Sequence, residues 1–153
     1  MSDQKVKILM VCLGNICRSP LAQGILENKL DPTKYMVASA GTGAYHVGNL
    51  PDKRSIAVAN KNGIDITNQR AAQFKKSDFD SYDHIFVMDQ SNYNNVIALA
   101  ENDKHIKKVQ LILNQIEPKS NSEVPDPYYG GHDGFDHVFN LLDQACTKFV
   151  EKL

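Results

Sequence analysis

Residues 5–11 form a short apolar run, which gives way over residues 20–30 to Leu21, Ile25, Leu26 and Leu30 at helical spacing. A strand followed by a helix is predicted. A second extended stretch at 35–40 leads through a glycine-rich loop to residues 52–62, where Ile56, Val58 and Ala59 precede a helix stop at Gly63. Residues 84–88 read as a third strand. Residues 92–101, carrying Val96, Ile97, Leu99 and Ala100, read as a third helix, and residues 109–113 as a fourth strand. The clearest pattern is the last: from Phe135 the apolar positions Val138, Phe139, Leu142, Ala145, Cys146, Phe149, Val150 and Leu153 make one sustained stripe for a long helix.

Strands alternating with helices over connections this short imply a parallel sheet covered by helices on both faces, an α/β fold with right-handed crossovers. In such folds ligands collect beyond the carboxyl ends of the strands. The loops that begin at Cys12, Gly41, Asp89 and Asn114 are therefore expected to share one rim. No internal repeat and no linker interrupts the pattern. Residues 117–126 read as one polar loop, so residues 1–153 are expected to form a single domain.

Composition narrows the possibilities. A chain of 153 residues with 42% hydrophobic and 23% charged side chains is long enough to bury one sizeable core. Its net charge of -1 gives no general attraction to a polyanion, so nucleic acid is not an expected partner. The longest uncharged apolar run near the start, Ile8 to Leu13, is far too short to span a bilayer, and Asp3, Lys5 and Lys7 precede it without a cleavage-site pattern. Neither a membrane nor export is expected. Three cysteines, an odd number, argue against a disulfide framework and for a reducing cytoplasm.

One segment carries chemistry. Cys12-Leu13-Gly14-Asn15-Ile16-Cys17-Arg18-Ser19-Pro20 lies where the first strand runs into the first helix, with five residues between Cys12 and Arg18. Ser19 can cap the helix and Pro20 suits its first turn, so free N–H groups and the positive dipole end would face the loop. Gly14 and Asn15 both tolerate positive φ, which would let successive amides converge on one anion. The backbone of Leu13, Gly14, Asn15, Ile16 and Cys17, with Ser19, then forms a phosphate cradle, and Arg18 adds a planar fork matched to phosphate oxygens. The same surroundings favour a thiolate at Cys12, which points to in-line attack on phosphorus and a cysteinyl-phosphate intermediate. Taken singly, Cys12 would read as a buried strand-end side chain. The whole loop reverses that reading. A zinc site lacks its second ligand pair, and no G-x-x-x-x-G-K loop occurs.

This loop resembles the C-x5-R-S-P signature of the low-molecular-weight protein tyrosine phosphatases. The resemblance extends to Ser39-Ala40-Gly41-Thr42-Gly43-Ala44-Tyr45, to Asp52 after Pro51, to Val87-Met88-Asp89 with Asn92, and to Asp126-Pro127-Tyr128-Tyr129. It implies a flavodoxin-like three-layer sandwich whose four-stranded parallel sheet has the order 2-1-3-4. It also implies hydrolysis of phosphotyrosine in a protein, or of a small aryl phosphate, with no metal and no other cofactor. By the same resemblance Cys12 is the nucleophile, Arg18 the phosphate clamp, Ser19 an aid to the leaving thiolate and Asp126 the general acid. Asn15 would shape the loop through contacts including Ser39. Expelling a phenolate is easier when a carboxylic acid donates a proton as the P–O bond breaks, which gives the acid an independent physical rationale.

Tyr45, Tyr128 and Tyr129 are expected to wall a slot deep enough for a phosphorylated phenol, and Ile16 stands where phosphoarginine-directed relatives carry threonine. Departures from the family pattern are Tyr45 for a common tryptophan, Asn68 in place of a bracing histidine, and Ala72 for a second arginine. Cys17 reads equally as a packing residue and as a thiol that could capture an oxidised Cys12. Three rival functions bear on the same residues. A phosphocysteine phosphocarrier would need neither Asp126 nor Arg18, an arsenate reductase needs a third cysteine within reach, and a silent phosphotyrosine-binding module has no use for Cys12 and Asp126 together.

Overall fold

A computed structural model describes residues 5–129 and 132–153, and gives only the backbone of residues 129, 132 and 133. Four parallel strands, β1 (Val6–Cys12), β2 (Tyr35–Gly41), β3 (His84–Val87) and β4 (Val109–Leu111), form one sheet in the order β2-β1-β3-β4. That is the order the family resemblance implied. β1 lies between two neighbours, so both its edges are paired and both its faces are covered. Its alternating side chains divide accordingly: Ile8, Met10 and Cys12 enter one core, Leu9 and Val11 the other. A continuous apolar run is what a strand buried on both faces requires.

The first core is closed by α1 (Arg18–Lys29), α2 (Lys53–Lys61) and α6 (His132–Glu151). Leu21, Ile25 and Leu26 of α1 meet Phe135, Val138, Phe139, Leu142 and Phe149 of α6 there, together with Phe86 from the sheet. Phe86 and Phe149 pack edge to face with ring centroids 5.0 Å apart. The second core takes Phe74, Phe79, Val96, Val109 and Leu111, and includes residues of the short helix α3 (Asp78–Ser81) and of α4 (Gln90–Ile97). Another short helix, α5 (Asp103–Lys107), precedes β4.

Several boundaries differ from the sequence expectation. α1 begins at Arg18, with Cys17 at the N-cap and no side-chain cap, so Ser19 is not the capping residue. Its hydroxyl is committed to Cys12 and Asn15 instead. The fourth strand stops at Leu111, because Ile112–Gln115 turn into a 3-10 helix although Ile112 and Leu113 are buried. An apolar run reports burial there, not extension. α4 starts two residues earlier than expected, because the Asp89 carboxylate caps it by accepting from the Asn92 amide at 2.8 Å. Leu99 and Ala100 pack against the second core from beyond its end. α3 and α5 were not anticipated; helices of 4 and 5 residues are too short to show an apolar period.

Candidate active site

β1 delivers Cys12 to the carboxyl edge of the sheet, in register with Gly41 of β2. The chain then curls through residues 13–17 and enters α1. This loop is tied from outside by its carbonyls: Cys12 O accepts from Thr42 N at 2.9 Å, Leu13 O from Gly43 N at 2.9 Å and Ile16 O from Asp52 N at 2.8 Å. No peptide bond among those described is cis, and a trans unit sets the following N–H opposite its C=O. The amides of Leu13, Gly14 and Cys17 therefore turn away from those outer partners. The Asn15 amide is aimed at the cysteine itself, 3.2 Å from Sγ.

Gly41 is what allows the loop to lie so close to β2. A Cβ at that position would stand 2.8 Å from Leu13 O and 3.0 Å from Asn15 N, both backbone atoms that have no room to yield. Asn15 adopts the positive φ that its residue type permits, 57°. Gly14 does not adopt one, so its permissive backbone is not used in the way the sequence suggested. A Cβ there would lie 3.1 Å from the His46 ring, a tight contact with a half-buried side chain.

The buried Asn15 side chain holds the loop together. Nδ2 donates to Ser19 Oγ at 2.7 Å and to Ser39 Oγ at 2.9 Å, while Oδ1 accepts from Ala72 N at 2.9 Å. Ser39 passes its own hydrogen on to Gln23 Oε1 at 2.7 Å. Because Ser19 Oγ receives the Asn15 amide, its hydrogen is available to Cys12 Sγ, 3.0 Å away. The sulfur thus faces two donors. The Asn15–Ser39 contact expected from the resemblance is present. Ala72 contributes through its backbone, so the missing arginine leaves this brace intact. Asn68 is exposed, and it is the buried Gln69 next to it that ties the segment to the start of α1, donating to Pro20 O at 3.1 Å. Asn68 is therefore not the bracing position.

Arg18 is almost wholly buried, with a side-chain exposure of 4%. NH1 donates to Asp89 Oδ2 at 2.7 Å and to Val124 O at 3.0 Å, and NH2 lies 3.8 Å from Asp126 Oδ2. Burial works against its charge, but the neighbouring Cys12, Asp89 and Asp126 outweigh that and raise its pKa above the usual value. Asp126 Oδ1 accepts from Tyr128 N at 3.0 Å in a tight Asp-Pro-Tyr turn. Cys12, Leu13, Gly14, Ile16, Cys17, Arg18, Tyr45, His46, Asp126 and Tyr128 line one cavity of about 380 Å³. Tyr45 and Tyr128 stand exposed at its mouth. The Tyr129 side chain lies outside the described residues. Cys17, also in the wall, is buried, and burial pushes its thiol pKa up to about 12, with the Asp52 charge acting in the same direction.

The loops after β1 and β2 line this cavity together with Asp126 and Tyr128 from the long segment beyond β4, Asp89 after β3 joins them through its bond to Arg18, and Asn114 pairs with Asn121 and lines a separate depression. Sequence reading gave no role to Asp89, His46 or Val124. Asp89 was findable, since it follows β3 on the expected rim; the Val124 carbonyl leaves no trace in residue type. Among the described residues, no three His, Cys, Asp or Glu side chains are grouped to hold a metal, and no helix is long and apolar enough to cross a membrane.

Residues 7–153 match the family model for low molecular weight phosphotyrosine protein phosphatases. The low molecular weight phosphotyrosine protein phosphatase of Schizosaccharomyces pombe is 38% identical over 155 residues, covering 98% of each chain. A protein tyrosine phosphatase from Entamoeba histolytica, solved with Hepes in the active site, superposes with a TM-score of 0.89 at 36% identity over 97% of this chain and 96% of that one. Wzb of Vibrio vulnificus, solved in complex with benzylphosphonate, gives a TM-score of 0.86 at 33% identity over 98% of this chain and 100% of that one.

Proposed function

The chain belongs to the low molecular weight phosphotyrosine protein phosphatase family, and we propose that it hydrolyses phosphotyrosine in proteins by way of a phosphate ester of Cys12. The observation that carries this reading is the Cys12 sulfur, held between the Ser19 hydroxyl and the Asn15 amide in the same cavity as the Arg18 guanidinium and the Asp126 carboxyl.

In the first step the Cys12 thiolate attacks phosphorus, the S–P bond forms, and the bond to the phenolic oxygen breaks. Asp126 delivers its proton to that oxygen as it departs. Arg18 and the loop amides meet the charge on the three equatorial oxygens; with those donors already in place the reaction proceeds without a metal. In the second step Asp126 takes a proton from water, the water oxygen attacks phosphorus, and the S–P bond breaks to return the thiolate. Ser19 then donates to the departing sulfur. Tyr45 and Tyr128 flank the aromatic ring of the substrate, and depth selects a phenol over a shorter phosphoserine. The benzylphosphonate held by Wzb joins a ring to phosphorus in the same manner.

An arsenate reductase on this scaffold would need a third thiol at the site. Cys146 lies instead in the first core on α6, 1% exposed. A phosphocarrier would have no need of Asp126 at the cavity.

Acid quenching during turnover of an aryl phosphate by Asp126→Ala, followed by peptide mass mapping, is expected to place the phosphoryl group on Cys12, in the presence of chelator. A phosphoryl group found on any other residue, or activity lost with chelator alone, would contradict this mechanism.

A further inference from the structure

The two halves of the cavity are joined by a run of contacts through α2. Asp52, the N-cap of α2, donates its backbone N–H to Ile16 O in the cysteine loop at 2.8 Å. Its carboxylate holds Arg54 on two edges, Oδ1 accepting from Nε and Oδ2 from NH2, each at 3.0 Å. The remaining NH1 donates to Tyr128 O at 3.0 Å. The guanidinium carbon Cζ stands 5.2 Å from the Tyr128 ring centroid and 4.7 Å from that of Phe135. Tyr128 N in turn donates to Asp126 Oδ1. Upstream the same segment is anchored by Val124, whose N–H donates to Met88 O at 2.8 Å and whose carbonyl accepts from Arg18. Arg54 is its downstream tie.

Capping of α2 does not account for this arrangement. Asp52 satisfies the helix end by accepting from the Arg54 amide, which any residue at position 54 would supply. The side chain is engaged separately, and only a planar fork can hold a carboxylate with one edge and a carbonyl with another; an ammonium is a single point. We propose that Arg54 is a positioning residue for the proton donor, a strut that sets Asp126 against the leaving oxygen by fixing Tyr128 relative to the cysteine loop. This rests on the assignment of Asp126 as general acid. Arg54 touches neither phosphorus nor the leaving group. Its removal lets the Asp126–Tyr128 turn drift, so it weakens protonation of a poor leaving group and leaves attack on phosphorus alone.

The test measures kcat/KM, which reports the first chemical step, for aryl phosphates from 2,4-dinitrophenyl to phenyl. The proteins are wild type, Arg54→Ala, Arg54→Gln, Arg54→Lys, Asp126→Ala and the Arg54→Ala/Asp126→Ala double variant. Arg54→Ala is expected to lose about tenfold on phenyl phosphate and less than about twofold on the dinitrophenyl ester, with Arg54→Lys between it and wild type. The double variant is expected to be no slower than Asp126→Ala alone. Should Arg54→Ala fail to fold, Arg54→Gln, which keeps the bulk, carries the same comparison. Equal losses across the ester series, or a double variant slowed by the full product of the single effects, would overturn the role of Arg54. The general-acid assignment would survive that result as long as Asp126→Ala itself shows a steep leaving-group dependence; a flat series for Asp126→Ala would instead overturn the assignment.

Discussion

Between Cys12 and Ser19 the side chains that bear chemistry are buried and bonded to β2, to the 69–72 segment and to one another, whereas Asp126 and Tyr128, across the same cavity, are exposed and rest on a few hydrogen bonds. The difference follows from what each side must do. Donors that meet a phosphate act best when they cannot rearrange, and burying them in a bonded loop keeps them in place before substrate arrives. A proton donor has to stand where the leaving group exits, which is the open mouth. In the proposed mechanism Asp126 therefore depends on a tie such as Arg54 and not on burial.

Substitutions break the comparison in a graded order. Removing the proposed nucleophile comes first: Cys12→Ser is expected to reduce kcat for p-nitrophenyl phosphate by roughly 10⁴-fold or more, since the proposed mechanism has no other group to replace the thiolate. Measurable turnover near wild type would remove Cys12 from its role. Arg18→Ala follows, with a loss of roughly 10²- to 10³-fold in kcat and a raised inhibition constant for inorganic phosphate, because the same fork meets ground-state and transition-state charge. It also leaves Asp89 without its ion-pair partner, so the melting temperature should fall.

The middle of the range separates the two halves. Asn15→Ala takes a donor from Ser19 and Ser39 and an acceptor from Ala72, and puts a residue poorly suited to it at φ 57°. A loss of about 2–3 kcal/mol in urea unfolding is expected, accompanied by slower turnover for every ester. Tyr128→Ala should leave stability nearly unchanged and raise KM several-fold for phosphotyrosine peptides relative to small aryl phosphates. Equal stability losses in these two variants would erase the contrast between a bonded loop and an open rim.

The smallest effect concerns Cys17. Its folded pKa lies at about 12 against an ordinary 9.0, so the folded state favours the neutral thiol. Its contribution to stability is whole below about pH 9 and is lost as pH rises toward 12. Cys17→Ala should flatten that alkaline limb in melts run across this window. Cys12 is expected to be alkylated by iodoacetamide at neutral pH while Cys17 is spared.

How far the sequence reaches is clearest at particular residues. Ile8 to Val11 and the stripe from Phe135 to Phe149 were legible because burial of a strand on two faces and of a helix on one leaves a periodic mark. The loop from Cys12 to Pro20 was legible because so few chemistries need that order of residue types. The ends of β4 and α4 were not, since Ile112, Leu113, Leu99 and Ala100 are apolar for packing from turns. His46 and Arg54 gave no signal, for a histidine and an arginine in polar segments read as solvated.

The sequence by itself settled the four strands, the helices α1, α2, α4 and α6 and the strand-to-helix placement of the cysteine loop, all consequences of short-range pattern. Tertiary structure alone decided that Asp89 and Val124 clamp Arg18, that Gln69 and not Asn68 braces the loop, and that Arg54 spans from Asp52 to Tyr128. These are contacts between residues that the chain holds far apart, except for Asp52 and Arg54. They come about only when parallel strands bring their carboxyl ends to one edge, and no local preference encodes which carbonyl or carboxylate will be waiting there.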